Sequence, residues 1–208
     1  MGGEQIRIRE YEPDDLDAVY RICLQTANNG GDGTALFREP RLPGDVYAVP
    51  YAILEPSLAF VAADGAGVGG YAVATLDSQE FGRRLARDWW PAIRARHPEP
   101  PPDLAQGLSV QERTALSNIH QSWMPGEDVP IGYPSHLHIN LLPQLQGRGV
   151  GRRLIETLLA RLREQGSPGL HLATRLTNLR AAGFYRHLGF TELAASDKHM
   201  FAMDLRER

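Results

Sequence analysis

Gln146-Gly147-Arg148-Gly149-Val150-Gly151-Arg152-Arg153 sits where a strand-like run, closed by Pro143, gives way to a helical one. The first turn of a helix presents backbone N–H groups with no intrahelical partner, and the helix dipole adds partial positive charge there. Glycines at positions 147, 149 and 151 let a bulky anion come close to those donors. Arg148, Arg152 and Arg153 add full charges. This is the chemistry of an anion site, best suited to a phosphate or pyrophosphate. A second group of residues suits proton movement. On the run before the loop, alternation puts His136, His138 and Asn140 on one face and Leu137, Ile139 and Leu141 on the other, and a histidine titrates near neutrality.

Three phosphate-loop patterns compete for the glycine stretch. A P-loop needs Gly-Lys followed by Ser or Thr, which this stretch lacks. The dinucleotide fingerprint needs G-x-G-x-x-G near the chain start, with an acid about 20 residues on. Here the spacing is G-x-G-x-G and the position is late. Gln146-x-x-Gly149-x-Gly151 after a strand resembles the pyrophosphate loop of the GNAT acetyltransferase superfamily: Gln or Arg, two residues, Gly, one residue, Gly or Ala. A downstream stretch in register resembles that family's second signature, with Asn178, Ala181, the pair Phe184-Tyr185, and Gly189-Phe190. Within the family, NGGDGTALF at 29–37 and His136-Leu-His-Ile-Asn-Leu-Leu-Pro143 resemble one subgroup. It comprises the acetyltransferase-like carboxy-terminal domain of O-GlcNAc hydrolases and its bacterial stand-alone relatives.

The resemblance implies an α/β (α+β) GNAT fold. Its central sheet is mixed but mostly antiparallel, has about seven strands, is splayed between the fourth and fifth, and is flanked by helices. It implies transfer of an acetyl group from acetyl-CoA directly to a primary amine, on a small molecule or a peptide; the alternative is a non-catalytic acyl-CoA-binding or regulatory module of the same fold. Coenzyme A would lie between strands at 136–142 and 170–174. Its pantetheine amides would meet backbone groups of Asn140, Leu141 and Leu142 like an added strand. Leu142 would also offer its N–H to the thioester oxygen, where negative charge develops. The pyrophosphate would rest on Gln146, Gly147, Arg148, Gly149, Val150, Gly151 and Arg152. Asn178 would contact the cofactor while serving as a helix N-cap. Tyr185 would face the departing thiolate. A phenol near pKa 10 giving its proton to a thiol near 8.5 is uphill by about 2 kcal/mol, so a hydrogen bond serves as well as full transfer. The general base is expected at His138, with His136, then His120 or Asp32, behind it. Asn29, Asp32 and Tyr133 are the expected acceptor-binding residues, no metal is expected, and pairing into a homodimer is open.

These groups need elements to hold them. Residues 5–9 alternate like a half-buried strand. Pro13-Asp14-Asp15 then opens a helix whose face carries Leu16, Val19, Tyr20, Cys23 and Leu24. The polar stretch 26–34 reads as a loop. Residues 45–54 read as a second helix, and 58–63 with 68–76 as a hairpin turning at 64–67. Residues 77–134 exceed what a minimal domain of this kind needs. They form either a decoration on the sheet or a wall over the acceptor site. Phe81, Leu85, Trp89 and Ile93 have helical spacing there. A helix over 109–121 opens with a capping box of Ser109 and Glu112, and Trp123 and Pro125 follow. After the loop, Val150, Leu154, Leu158 and Leu162, flanked by Ile155 and Leu159, define an amphipathic helix that Gly166 stops. Strands at 170–174, 190–194 and 199–205 complete the set.

Bulk properties agree with one soluble domain spanning 1–208. Apolar content of 42%, charged content of 23% and net charge of −3 are ordinary for a globular chain. They lack the basic balance of nucleic-acid binders. No run of 18 apolar residues suggests a membrane span, and the start MGGEQIRIRE lacks a signal-peptide core. One cysteine, Cys23, suits a reducing cytoplasm and reads as a buried hydrophobe.

Overall fold

The computed structural model describes residues 5–121 and 129–206, so Trp123 and Pro125 lie outside the described residues. Seven strands form one sheet: β1 (Arg7–Glu10), β2 (Ala59–Asp64), β3 (Gly67–Thr75), β4 (Ser135–Leu141), β5 (Gly169–Arg175), β6 (Thr191–Leu193) and β7 (Lys198–Asp204), in the order β1-β2-β3-β4-β5-β7-β6. Every neighbouring pair is antiparallel except β4 and β5. That parallel pair is joined only at Ser135↔Leu170 and His136↔His171, after which the strands part. Splaying opens the sheet in its middle, and the site lies in the gap.

Both faces of the sheet are covered, which is why β2 and β3 are apolar almost throughout. Alternation sends Ala59, Val61, Tyr71 and Val73 to one core and Phe60, Ala62, Ala72 and Ala74 to the other. The second core is capped by α8 (Val150–Glu164), whose Val150, Leu154, Ile155, Leu158, Leu159 and Leu162 are all buried. Each such side chain contributes about 2 kcal/mol on leaving water. Gly166 stops this helix with φ +79°. α9 (Leu179–His187) packs on the same side, its Ala182 and Tyr185 buried in that core.

The first core is built by α1 (Leu16–Gln25), α2 (Leu42–Tyr47), α3 (Val49–Leu54) and the segment between β3 and β4. Cys23 is buried there, its thiol pushed up to about 12 by the loss of water. The expected single helix over 45–54 is two, joined at Ala48. Pro50 has no N–H to return to the Val46 carbonyl, so the first helix cannot run through it.

The β3–β4 segment carries α4 (Ser78–Arg84), α5 (Trp90–Arg96), the short α6 (Pro102–Ala105) and α7 (Val110–His120). A π-helical turn, Leu85–Trp89, joins α4 to α5. Spacing predicts Trp89 on the buried face; the structure buries Trp90 instead, together with Phe81, Leu85 and Ile93. Pro91 cannot donate to the carbonyl one turn back. The π turn absorbs that gap by adding a residue, which rotates the next position inward. The expected reciprocal capping box at α7 is half formed. Ser109 Oγ accepts from the Glu112 N–H at 2.9 Å, but the Glu112 carboxylate takes the Arg38 N–H at 2.9 Å instead of returning to Ser109. Among the described residues, no helix is long and apolar enough to cross a membrane.

Candidate active site

Where β4 and β5 part, a cleft of about 460 Å³ opens, lined by β4, the glycine loop, α9 and the loop after α1. In an antiparallel ladder a residue turns its N–H and C=O to the same side, and successive residues alternate. The Leu142 N–H is bonded to the Gly69 carbonyl at 2.9 Å, so Leu142 faces β3, and Asn140 and His138 face it with Leu142. This corrects the expectation for Leu142: its amide extends the β3–β4 ladder and is not free to meet a thioester oxygen. Ile139 and Leu141 turn their backbone groups to the gap. The Leu141 carbonyl accepts from Gln146 Nε2 at 2.7 Å, which leaves the Leu141 N–H and both backbone groups of Ile139 as the bare strand edge.

Gln146 braces the loop from both sides, since its Oε1 also accepts from Arg180. Gly147 and Gly149 adopt φ +70° and +72°, the left-handed region where a Cβ is costly, and open space surrounds both. Gly149 is the N-cap of α8, with no side chain capping that end. Among the described residues no acceptor is bonded to the N–H groups of Val150, Gly151 or Arg152, so they point unpartnered out of the helix head. Gly151 is glycine for another reason: a Cβ there would meet the Phe184 ring at 3.1 Å.

The expected residues divide into those the cleft gathers and those it does not. Asn29, Leu141, Gln146, Gly147, Gly149, Gly151, Arg152, Asn178 and Tyr185 all line it. Asn178 caps α9, its Oδ1 accepting from the Ala181 N–H at 3.1 Å. Tyr185 is packed against Phe184, Phe190 and Phe201 at ring separations of 5.3 to 5.6 Å, and burial raises its phenol above the ordinary value. The Val150 side chain is in the core, so only its N–H belongs to the loop. Arg148 lies outside the lining, exposed, with its guanidinium on the Gln144 carbonyl at 3.3 Å. Arg153 turns away to the Ile6 carbonyl at 3.0 Å.

Asp32 is exposed and outside the lining. Its carboxylate accepts from the Thr34 N–H at 2.9 Å and hydroxyl at 2.6 Å, bonds that hold it below the usual carboxylate range. Tyr133 stands at the joined end of β4 and β5, over Gly169, with its carbonyl accepting from His171 Nδ1 at 2.7 Å. His120 is bonded to the His97 carbonyl at 2.9 Å. His138 is half-buried and outside the lining, two positions along β4 from Asn140, which lines the cleft. Desolvation pushes its imidazole down to about 4, so it is neutral at physiological pH. His136 is buried and held well below the usual histidine range.

Arg180, Phe184 and His187 also line the cleft and were not expected. Their signal lay in helix periodicity. Counting four from Arg180 along α9 and then three more gives Phe184 and His187, the face beside the one that Ala181, Tyr185 and Leu188 share.

Comparison with known proteins bears on the family and the fold. The profile of the Acetyltransferase (GNAT) family matches residues 122–190. The crystal structure of SsHAT superposes with a TM-score of 0.87 at 38% identity, covering 98% of this chain and 100% of that one. Protein O-GlcNAcase of Rattus norvegicus is 28% identical over 187 residues, 90% of this chain but 20% of that protein. The chain therefore spans about a fifth of the length of that curated relative. The structure of yncA from Salmonella typhimurium, solved with its cofactor acetyl-CoA, shares the fold at a TM-score of 0.57 and 15% identity, covering 98% and 96% of the two chains.

Proposed function

Since this chain belongs to the GNAT acetyltransferase family, we propose that it moves an acetyl group from acetyl-CoA to a primary amine on a small molecule or peptide. One observation carries the reading. A bare strand edge at Ile139 and Leu141 runs straight to unpartnered N–H groups at the head of α8, with Tyr185 in the same cleft. An extended chain of amides ending in two phosphates is complementary to that sequence of donors and acceptors. The fit is to coenzyme A: the strand edge pairs with amides, the Gly147–Gly151 loop receives phosphates, and Arg152 and Arg180 supply charge.

Residue roles follow from position. Asn178 keeps its side-chain N–H₂ for the cofactor while its oxygen caps α9. Tyr185 stays protonated and donates a hydrogen bond to the leaving sulfur. Its raised pKa makes full proton transfer costlier than for an ordinary phenol. With Leu142 engaged by β3, the bare N–H groups of Leu141 and Ile139 are the donors on β4 left for developing negative charge. Asn29 and Gly30 line the cleft from the loop after α1, and on this reading that loop meets the acceptor. His138, neutral and beside Asn140, takes the proton that the amine sheds.

The test is incubation with acetyl-CoA and a broad panel of amines, following release of free thiol. Turnover is expected, and Gly149→Glu is expected to abolish acetyl-CoA binding by setting a carboxylate and a strained Cβ among the phosphate donors. Turnover that survives Gly149→Glu unchanged sinks the site assignment. Tight acetyl-CoA binding with no acetylated amine anywhere in the panel leaves a cofactor-binding module.

A further inference from the structure

Behind His138 runs a chain of hydrogen bonds through the first core. Ser78 Oγ is 2.6 Å from the Pro134 carbonyl and 2.6 Å from His136 Nδ1. His136 Nε2 is 2.6 Å from the Tyr51 hydroxyl, and that hydroxyl is 3.2 Å from His138 Nε2. Each link has a fixed polarity, because one end of the chain can only accept. A carbonyl has no proton, so Ser78 gives its single proton to Pro134. Ser78 Oγ must then accept from His136, which places the His136 proton on Nδ1. His136 is buried and neutral, so its Nε2 offers a lone pair and Tyr51 donates to it. Tyr51 has spent its only proton, and its oxygen accepts from His138 Nε2–H. His138 Nδ1 is left with a lone pair. Among the described residues it has no hydrogen-bond partner, and it is not one of the buried polar atoms lacking one.

We propose that Ser78, His136 and Tyr51 form a relay that fixes His138 in its Nε2–H tautomer and turns Nδ1 outward as the acceptor for the amine proton. Ser78 and Pro134 lie at the two ends of the β3–β4 segment, so the segment gains a function besides filling the core. It anchors the polarity of a chain that ends next to the cleft. Tyr51 is the residue both histidines share. It is fully buried, stacked on Phe81 at 4.3 Å and in edge contact with both imidazoles at 5.3 and 5.1 Å, so its hydroxyl is held between two nitrogens and cannot swing away. These are positioning residues. Neither they nor His138 is among the residues that line the cleft, and all three act through His138. The tautomer assignment stands on the hydrogen bonds alone; its use in catalysis rests on the acyltransferase reading above.

The decisive measurement is long-range ¹H–¹⁵N correlation of the histidine rings in the full-length, ¹⁵N-labelled protein at neutral pH, with His138→Gln assigning the His138 signals. His138 is expected to show a protonated Nε2 and a bare Nδ1. In Tyr51→Phe its signals should move toward a mixture of tautomers, and in Ser78→Ala those of His136 should change first. Steady-state rates should fall about tenfold in kcat for Tyr51→Phe with the KM for acetyl-CoA little changed, as expected when general-base help is weakened and cofactor binding is not. Far-UV circular dichroism keeps loss of fold apart from loss of the relay, and Ser78→Ala serves if Tyr51→Phe does not fold. A proton on His138 Nδ1 in the wild type, or an unchanged tautomer in Tyr51→Phe, overturns the relay. The predicted tautomer with full turnover in His138→Ala overturns only its catalytic use. Absence of turnover by the wild type removes the acyltransferase reading and leaves the tautomer result intact.

Discussion

At the scale of single residues, loss of water keeps both Tyr185 and His138 neutral. Tyr185 is an aromatic-cage tyrosine whose phenol burial makes it a poorer acid than tyrosine in water. A poorer acid remains a good neutral donor, and one neutral hydrogen bond is worth about 1 kcal/mol. Tyr185→Phe should therefore lower kcat roughly fivefold to tenfold while acetyl-CoA affinity holds, and stopped-time thiol assays across acetyl-CoA concentrations separate the two. A fall of many thousandfold would instead require that full proton transfer be the difficult step. His138 sits at the other extreme, depressed to about 4 by loss of water. No acid limb in kcat/KM between pH 5 and 7 should belong to it. Any limb found above neutrality should track the acceptor amine and shift when amines of different basicity are compared. A limb fixed near pH 6.5 for every acceptor would mean that His138 is solvated like a free imidazole.

At the scale of elements, the site helix and its loop are legible in the sequence because both signals are local. A heptad-like stripe from Val150 to Leu162 and glycines at its head need no knowledge of the rest of the fold. The splay of β4 from β5 is not legible in residue types. It was expected from the family resemblance, and the structure shows it as a register of two pairs. The role of Leu142 is not legible either, because the direction of a backbone amide depends on register with β3, which sequence alternation of side chains does not fix. Trp89 and Trp90 were exchanged for a subtler reason: a single π turn shifts the helical phase, and Pro91 was its only local clue. Tertiary chemistry was hidden altogether. Asp45 is fully buried, yet its carboxylate receives Tyr20 Oη at 2.6 Å, His97 Nε2 at 2.8 Å and Arg96 at 2.9 Å. Burial alone would raise that carboxyl, and these bonds outweigh it, holding it below the usual range. The hub joins α1 and α2 to the end of α5. Asp45→Ala leaves the buried Tyr20 and His97 groups unpaired and should cost about 3 kcal/mol or more, read by urea denaturation. A loss below about 1 kcal/mol would show that the hub is replaceable by water.

At the scale of the whole molecule, the β3–β4 segment is part of the structure on which the site rests. Phe81, Leu85, Trp90, Ile93, Ala115 and Ile119 belong to the same buried cluster as Tyr51, Tyr71 and Val73 of the common framework. Sharing that cluster makes the segment inseparable from the fold. Removing residues 79–121 should leave no folded protein, since it strips several large side chains worth about 2 kcal/mol each from a core of marginal net stability. A soluble, cooperatively melting deletion variant would show that the sheet and α8 suffice. The same core sets the response to acid. His136, His138 and His171 are all depressed by burial, so in the unfolded chain, near 6.5, they bind protons that the folded chain refuses. Their share of stability is complete above about pH 6.5 and is lost as pH falls toward the folded values. For His138 alone that loss approaches about 3 kcal/mol at pH 4. Asp15 and Asp45, both held low, lose their share only further down, as pH falls through their own folded values. Thermal melts should therefore decline between about pH 7 and 5, before the carboxylates titrate. His138→Gln keeps a side-chain N–H for Tyr51 but cannot bind a proton, so it should flatten that decline. An unchanged slope in this variant would place the acid sensitivity elsewhere in the molecule.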